Sequence, residues 1–287
     1  MKKVLLFLLM SFILMFAAAC GEAEDTGGDE DTGIDAETED AAEEETEGTE
    51  EEEDSEEAAS DGETETYSVA TDNNYIPFEF LEDGELVGFD IDLINAIADE
   101  AGFEIEIEQM EFSGIVAAIP SERFDMGIAG MTITEERQEN IDFSQPYYDA
   151  GLVLAVKDGS DIQSIDDVDG LTVATRVGST SEDYLNENTE ANIEAFPEIP
   201  EAYQAVLTER ADAVLYDLPN VQYYAETETG GELQIVGDTL TGEQYGIAFP
   251  KGSELVDEVD AAIDALKEDG TFGDIYEKWF GDRPEGL

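Results

Sequence analysis

The segment DMGIAGMTITEER, residues 125–137, shows most clearly which kind of fold this chain adopts. Its first five residues are typical of a short strand, and Thr134 is placed to open a helix that contains Arg137. Thr132 and Arg137 therefore follow the carboxyl end of a strand and lie beside a helix N-terminus. In α/β proteins, ligands bind at such positions.

Strands and helices alternate on both sides of this segment. Residues 90–101 carry an apolar stripe at helical spacing, and Gly102 is placed to end that helix. Phe103, Ile105 and Ile107 then alternate with glutamates, which is typical of a strand with one face in water. Downstream, strands are predicted at residues 152–156, 171–175, 192–196, 213–216, 233–236 and 245–249, and helices at 180–186, 201–209 and 219–226. This alternation predicts an α/β fold with parallel sheets covered on both faces.

The composition of the 287 residues excludes several classes of function. The chain has no histidine, which removes the commonest general base and metal ligand. Cys20 is the only cysteine, so no disulfide can form within the chain and no CxxC site exists. A net charge of −64 argues against binding nucleic acid, because phosphate contacts need Lys and Arg. No metal site and no cofactor are predicted, and a monomer is expected.

Residues 1–19 have the features of an export signal. Lys2 and Lys3 form a short positive region, residues 4–16 are almost wholly apolar, and three alanines precede Cys20. The alternative, a transmembrane helix, would need a longer apolar run. Small residues directly before a lone cysteine resemble a bacterial lipobox. That resemblance implies that Cys20 is lipidated and anchors the chain to the outside of the cell membrane, with simple secretion as the alternative.

Residues 20–66 are predicted to form a disordered acidic tether. From Gly21 to Thr66 the chain has 24 acidic residues and no Lys or Arg. Such a segment cannot bury enough apolar surface to offset its ordering entropy, and its charges repel one another.

The rest of the chain, from Tyr67 onward, is also strongly acidic, with 51 acidic residues against 9 basic ones. A folded domain with this excess repels itself at ordinary salt, and high ionic strength would screen the charges. We therefore expect a halophilic source.

Several motifs follow one another in a fixed order along residues 67–282. They are ATD (70–72), PFEF (77–80) and GFDIDL (88–93), then GIAGMTITEER (127–137) with IDFS (141–144) and PYY (146–148), then RADAVLYDLPN (210–220), YGIAFPKGS (245–253) and GTFGDIYEKWFG (270–281). In this order they resemble the polar amino-acid binding proteins of ABC importers, solute-binding family 3, and glutamine-binding members most closely.

The resemblance implies a type II periplasmic-binding-protein fold, in which two α/β lobes with parallel-rich sheets are joined by a two-strand hinge. It places lobe 1 at residues 67–147 and 246–287 and lobe 2 at residues 148–245, with hinges near 147–151 and 241–245. It also implies that the lobes close on a free amino acid and that the closed form is presented to a membrane permease with its ATPase.

The chemistry of an amino acid supports one part of this site directly. Every amino acid presents an α-carboxylate and an α-ammonium, so a receptor needs a donor cluster and an anionic acceptor. Arg137 can form two parallel hydrogen bonds to a carboxylate, and Thr132 can add its N–H and hydroxyl. From spacing alone, a solvated helix arginine that pairs with Glu136 or Glu139 competes with this interpretation.

Other roles come from the resemblance alone. It implies that Asp217 and the carbonyl of Gly130 accept the ammonium, and that Tyr75 and Phe112 lie against the aliphatic part of the ligand. It further implies a second contact to the carboxylate from N–H groups at the start of a helix, at Ser179 and Thr180. The alternatives are a strand-end turn for the aspartate, core packing for the aromatic residues, and plain helix caps for the last pair.

Asp72 and Arg176 decide which ligand is predicted. In glutamine-binding relatives these positions meet the far end of the ligand side chain. A basic ligand would pair with Asp72 but be repelled by Arg176. Glutamate would pair with Arg176 but be repelled by Asp72. A neutral amide can donate to the carboxylate and accept from the guanidinium. Glutamine is predicted first, arginine or lysine next, and another polar amino acid after that. The glutamine-binding relatives have Lys at the Arg176 position and His at the Tyr216 position, and a direct bond between Arg176 and Asp72 is an open alternative.

Two other functions compete with binding for import. Some dehydratases share the implied fold, but a site without histidine leaves only carboxylates for acid–base chemistry, so the chain is not predicted to be an enzyme. A sensor module of a membrane receptor would need a downstream transmembrane segment, which is not expected because the chain ends at Leu287.

Overall fold

The computed structural model describes residues 64–283, so the predictions for the export signal, Cys20 and nearly all of the acidic tether lie outside the described residues. No helix in the described range is both long and apolar enough to cross a membrane.

Residues 64–283 form fifteen strands and eight α-helices. The strands are β1 (Thr66–Thr71), β2 (Asn74–Tyr75), β3 (Glu79–Glu82), β4 (Glu85–Val87), β5 (Glu104–Gln109), β6 (Met126–Gly127), β7 (Ile141–Phe143), β8 (Tyr148–Ala150), β9 (Leu152–Lys157), β10 (Thr172–Arg176), β11 (Asn192–Phe196), β12 (Ala213–Asp217), β13 (Leu233–Val236), β14 (Glu243–Tyr245) and β15 (Ala248–Pro250). The helices are α1 (Phe89–Ala101), α2 (Phe112–Ala118), α3 (Glu135–Gln138), α4 (Thr180–Asn188), α5 (Ile199–Leu207), α6 (Leu218–Thr227), α7 (Leu255–Asp269) and α8 (Thr271–Phe280).

The strands build two five-stranded sheets. The first has the order β5-β1-β6-β15-β7 and the second the order β11-β10-β12-β9-β13. In the first sheet β1 is parallel to β5 and β6, whereas β15 is antiparallel to both of its neighbours. In the second sheet β10 is parallel to β11 and β12, whereas β9 is antiparallel to both of its neighbours.

The predicted parallel-rich sheets are confirmed, and one strand in each sheet, β15 in the first and β9 in the second, runs against the others. β9 follows directly on β8, and β15 follows directly on β14, with no helix between them. A parallel neighbour requires a crossover connection, usually a helix, and these two strands enter their sheets without one. Mixed, parallel-rich sheets are the result.

A two-stranded antiparallel sheet of β8 and β14 links the two larger sheets along the chain, with Tyr148 opposite Tyr245. The single strand predicted at residues 245–249 is wrong, because β14 ends at Tyr245 and β15 begins at Ala248. Between them the chain changes partners, as Gly246 N donates to Met131 O at 3.0 Å and Ile247 N donates to Ser144 Oγ at 2.9 Å.

Local sequence signals are confirmed around α1 and β5. Leu93, Ile94 and Ile97 form a fully buried face of α1. Gly102 ends that helix in the left-handed region, at φ 85°, and its N–H donates to Ala98 O at 2.8 Å. In β5 the isoleucines are half-buried while the glutamates between them are exposed.

Two local features differ from the prediction. β1 begins at Thr66, inside the predicted acidic tether, because Glu65 O accepts the N–H of Glu104 at 2.8 Å and extends the pairing with β5. The small antiparallel sheet of β2, β3 and β4 is not predicted at all. Its strands are only two to four residues long, too short for alternation along a strand to be recognised.

Candidate functional site

The predicted site residues meet between the two large sheets, at the carboxyl ends of their parallel strands. Asp72 follows β1, and the loop that carries Gly130 and Thr132 follows β6. Arg176 ends β10 and Asp217 ends β12. Since the carboxyl ends of parallel strands lie at one edge of a sheet, the topology brings these residues together.

Arg137 is held in place by its own helix and by two backbone carbonyls. Thr134 caps α3 by accepting the Arg137 N–H at 3.1 Å. The guanidinium donates from Nη1 to Thr132 O at 2.8 Å and from Nη2 to Gly178 O at 3.1 Å. Burial lowers the pKa of Arg137 below its usual value.

Arg137 has no carboxylate within 4.0 Å among residues 64–283, so the competing interpretation of a pairing with Glu136 or Glu139 is wrong here. Seven of the nine basic residues after Tyr67 form such ion pairs, and Lys267 donates to Gln145 Oε1 at 2.9 Å. In so acidic a domain, an arginine without a carboxylate within 4.0 Å among the described residues can still form a direct ion pair with another anion.

Asp217 is the anionic counterpart on the second sheet. It is 5% exposed, and its Oδ2 accepts hydrogen bonds from Tyr75 Oη at 3.0 Å and Tyr245 Oη at 2.5 Å. Its Oδ1 is buried and has no partner among the described residues. Burial raises the pKa of Asp217 to about 7, repulsion from Glu243 adds to this, and the two tyrosines and Arg137 oppose it.

Glu243 in β14 connects the two sides of the site. Its Oε2 accepts the hydroxyl of Thr132 at 3.2 Å and the hydroxyl of Thr180 at 3.0 Å. Ser179 caps α4, because its Oγ accepts the Glu182 N–H at 3.3 Å and donates to Arg176 O at 2.7 Å. The predicted helix start at residues 179–180 is therefore confirmed.

Tyr75 and Gly130 are in close contact beside Asp217. The Tyr75 ring is almost fully buried and stacks on Phe78, with ring centroids 5.1 Å apart. Gly130 has φ 53°, and a Cβ added there would lie 2.4 Å from Tyr75 Cε1. A side chain at this position is excluded both by the backbone conformation and by the tyrosine.

Phe112 lies under two guanidinium groups. Its ring centroid is 5.6 Å from the Cζ of Arg137 and 5.1 Å from the Cζ of Arg176. Both distances are within the range of a cation–π attraction. The ring therefore contacts both cations of the site.

Arg176 and Asp72 form a buried ion pair, and each side chain is 1% exposed. This is the direct bond that the sequence left open. Arg176 makes three further contacts, with Nε on Pro197 O at 3.2 Å, Nη1 at 3.5 Å from Tyr216 Oη and Nη2 at 3.4 Å from Glu198 Oε2. One of the five guanidinium protons, on Nη1, is left without a partner among the described residues. Burial lowers the pKa of Arg176, but Tyr216 and Asp72 outweigh this, and the pKa lies above its usual value.

Sequence reasoning missed three residues of this site: Glu198, Glu243 and Tyr245. Burial and repulsion from Asp72 raise the pKa of Glu198 to about 7, against the opposing effect of Arg176. Tyr245 lies within the motif YGIAFPKGS, which could have indicated it. The two glutamates stand out by no sequence signal, because the chain is rich in glutamate throughout.

The arrangement suits a small zwitterion. At one end, Arg137 has no carboxylate within 4.0 Å and Asp217 Oδ1 accepts no hydrogen bond among the described residues. At the other end Asp72 and Arg176 neutralise one another, with polar groups around them. Such a site has donors and acceptors for an α-carboxylate, an α-ammonium and a polar side chain.

Known proteins resemble this chain over nearly all of its described residues. The family model of the bacterial extracellular solute-binding proteins, family 3, matches residues 67–282. The chain is 32% identical over 291 residues to the ABC transporter glutamine-binding protein GlnH of Bacillus subtilis, with 99% of each chain covered. It is 31% identical over 227 residues to the arginine-binding extracellular protein ArtP of the same organism, covering 78% of this chain and 89% of ArtP.

A solved structure shows the same architecture. The arginine-, lysine-, histidine-binding protein ArtJ from Geobacillus stearothermophilus superposes with a TM-score of 0.75 at 34% identity. The match covers 77% of this chain and 97% of ArtJ.

Proposed function

This chain belongs to the bacterial extracellular solute-binding proteins, family 3, and we propose that it binds a free polar amino acid, glutamine first, for an ABC importer. The importer would consist of a membrane permease and its ATPase. The two sheet-rich lobes confirm the predicted type II periplasmic-binding-protein fold. The family and the relatives named above are binding proteins, which favours binding over catalysis.

The observation that carries this proposal is the opposition of Arg137 and Asp217. An α-carboxylate would accept from the guanidinium, which lacks any described carboxylate partner. An α-ammonium would donate to the buried and unpartnered Asp217 Oδ1. A bound amino acid would thus give Arg137 a carboxylate partner and Asp217 Oδ1 a hydrogen-bond donor, and the described residues supply neither.

The surrounding residues have supporting roles in this proposal. Gly130 offers its carbonyl to the ammonium, and the N–H groups at Thr132 and at the start of α4 (Ser179 and Thr180) meet the carboxylate. Tyr75 and Phe112 enclose the aliphatic part of the ligand. Close contact between the lobes in this structure, through Tyr75 and Asp217, supports such an enclosed site.

Glutamine is favoured because the Asp72–Arg176 pair carries no net charge. A neutral amide can use the lone pairs left on Asp72 and a proton left on Arg176 without bringing a further charge into a buried site. Arginine or lysine is the second candidate, since Glu198 adds a carboxylate 3.4 Å from Arg176. The relative ArtP binds arginine.

We propose that residues 67–147 and 246–287 form lobe 1, that residues 148–245 form lobe 2, and that β8 and β14 are the hinge. We further propose that Cys20 carries the lipid that anchors the chain outside the cell. Replacing Cys20 by Ala should release the protein from the membrane fraction into the medium. Unchanged membrane association would contradict the anchor.

Isothermal titration calorimetry against the twenty amino acids tests the ligand. We expect the tightest binding for L-glutamine, and no measurable binding of glutaramate, which is glutamine without its ammonium group. Tighter binding of arginine or lysine would overturn the glutamine assignment. Binding of no amino acid would overturn the proposed function as a whole.

A further inference from the structure

Behind the Gly130 loop, two carboxyl side chains are buried against each other. Glu79 and Asp90 are both 0% exposed and lie close enough to affect each other's ionisation. Asp90 Oδ2 accepts the Gly130 N–H at 2.8 Å and the Tyr147 hydroxyl at 2.9 Å. The other three oxygens, Glu79 Oε1 and Oε2 and Asp90 Oδ1, receive no hydrogen bond from any described residue.

The local sequence forces this contact. Phe89 N and Asp90 N, in the first turn of α1, donate to the carbonyls of Pro77 and Phe78, each at 2.9 Å. Gly88, at φ 140°, permits the approach, because a Cβ there would lie 1.9 Å from Phe78 O. The motifs PFEF and GFDIDL are thereby clamped together, with their two acids facing each other.

Ionising two adjacent buried carboxyl groups together is strongly unfavourable, because both charges are desolvated and neither carboxylate can donate to the other. Asp90 is the better anion, since it accepts two hydrogen bonds and lies in the first turn of α1, where the helix dipole favours negative charge. Glu79 has no donor on either oxygen among the described residues. The proton therefore belongs on Glu79, which can donate it to Asp90 Oδ1.

We propose that Glu79 and Asp90 share one proton, carried by Glu79, and that this acid pair positions Gly130 in the ligand site. Glu79 is then a positioning residue that acts through Asp90. The positioning of the ligand rests on the proposed function, whereas the shared proton does not.

The groups around the pair agree with this assignment. Burial, with repulsion from Asp90 and Asp72, raises the pKa of Glu79 well above its usual value, although Arg176 opposes this. Burial also raises the pKa of Asp90, but only to about 6, because Gly130 N–H, Tyr147 and Glu79 stabilise its charge. Both directions favour the charge on Asp90 and the proton on Glu79.

Infrared spectroscopy of the full chain tests the proton without any ligand. At pH 7 the wild type should show the carbonyl stretch of a buried carboxylic acid that Glu79→Gln removes. Glu82→Gln, an exposed site in the same strand β3, is the matched control and should keep the band. Asp217 and Glu198, whose pKa values lie at about 7, add carboxylic-acid bands of their own, so the difference between wild type and variant is measured. A carbonyl intensity that is unchanged in Glu79→Gln would overturn the proposal.

The pH dependence of folding gives a second readout. Because the folded pKa of Glu79 is raised, its contribution to stability is complete below the ordinary glutamate range. That contribution is lost as the pH rises, by about tenfold in the unfolding constant per pH unit, until the folded pKa is passed. Glu79→Gln should flatten this part of the wild-type curve, while Glu82→Gln should follow it. Equal slopes for wild type and Glu79→Gln would refute the shared proton.

Ligand affinity tests the positioning. Glu79→Leu, which cannot donate to Asp90, should weaken glutamine binding at pH 7 by about tenfold or more, and Glu79→Gln should restore most of it. Equal affinities for Leu and Gln variants would contradict the positioning role. If the wild type binds no amino acid yet shows the infrared band, the proposed function fails and the acid pair stands. If glutamine binds and the band is missing, only the acid pair fails.

Discussion

The site has two ends, and each contains one arginine and one aspartate. The two ends differ in whether these charges pair with each other. At the α-group end, Arg137 and Asp217 are charged groups that form no ion pair within 4.0 Å among the described residues. At the side-chain end, Asp72 and Arg176 pair directly and are buried together. The charges at the first end can find ionic partners in a ligand, whereas the charges at the second end are already partners of each other.

This difference separates general recognition from selectivity. The α-carboxylate and α-ammonium, which every amino acid has, would bind Arg137 and Asp217. The part that varies between amino acids meets a neutral pair, which can accept a polar side chain without a large electrostatic preference for either sign. Changes at the first end should therefore affect all ligands, and changes at the second should affect stability and preference.

The largest effect is expected from truncating the α-group end. Arg137→Ala or Asp217→Ala should weaken binding of glutamine and arginine alike by about 3–5 kcal/mol, because the opposing ligand charge is left buried and unpaired. Calorimetry with both ligands would measure this. Arg123→Ala, which removes an exposed arginine paired with Glu108, is the matched control. A change of preference at unchanged affinity would contradict the comparison.

Removing the Asp72–Arg176 ion pair should lower the stability of the folded protein. Arg176→Gln leaves Asp72 buried without its cation and should reduce the free energy of unfolding by about 3 kcal/mol. Urea denaturation would measure it.

The same variant should also shift preference toward arginine and lysine, because Asp72 and Glu198 are then free to meet a cation. Paired with Asp72→Asn, the loss of stability should be smaller than the sum of the single changes. Additive losses would show that the two residues do not act as a pair.

The pH should act on the α-group end through Asp217. Its raised pKa, about 7, means that the free carboxyl is protonated at lower pH, whereas the ligand ammonium requires the carboxylate. Binding must then release a proton, so affinity should fall by up to about tenfold per unit as the pH drops below 7. Calorimetry in buffers of different ionisation enthalpy would detect the proton. Constant affinity between pH 5 and about 7 would exclude this role for the aspartate.

Salt should distinguish the cleft from the exterior. With 51 acidic and 9 basic residues after the acidic tether, and most of the bases already paired, charge repulsion should lower stability in dilute buffer. The melting temperature should rise by several degrees toward molar salt, while affinity at the buried ends changes less. A melting temperature that is flat or falls with added chloride would remove the halophilic expectation.

The smallest effect is expected from the acidic tether. Deleting residues 22–63 should leave affinity at both ends unchanged, because the segment has little apolar content with which to pack. The deletion stops before Glu65, whose carbonyl accepts the Glu104 N–H. Calorimetry on the purified deletion variant would measure this, and a clear loss of affinity would mean that the tether acts on the lobes.

Short-range patterns were sufficient for most helices and strands but not for strand direction. The spacing of apolar residues predicts helix α1, and the alternation in β5 predicts which face of that strand is exposed to solvent. Both patterns depend on residues only a few positions apart. The reversed strands β9 and β15 are apolar runs like their neighbours. Which way each runs depends on its connection through the linking sheet.

The sequence by itself determined the α/β class, the family and the residues that gather at the site, because motif order and periodicity are written along the chain. Only the tertiary structure decided which charges pair. Arg176 meets Asp72 across 104 positions, and Tyr75 meets Asp217 across 142. It also decided that Arg137 meets no described carboxylate and that Glu79 faces Asp90. Whether a charge is paired depends on the distance between atoms after folding, and in a chain with 75 acidic residues no local pattern can choose among them.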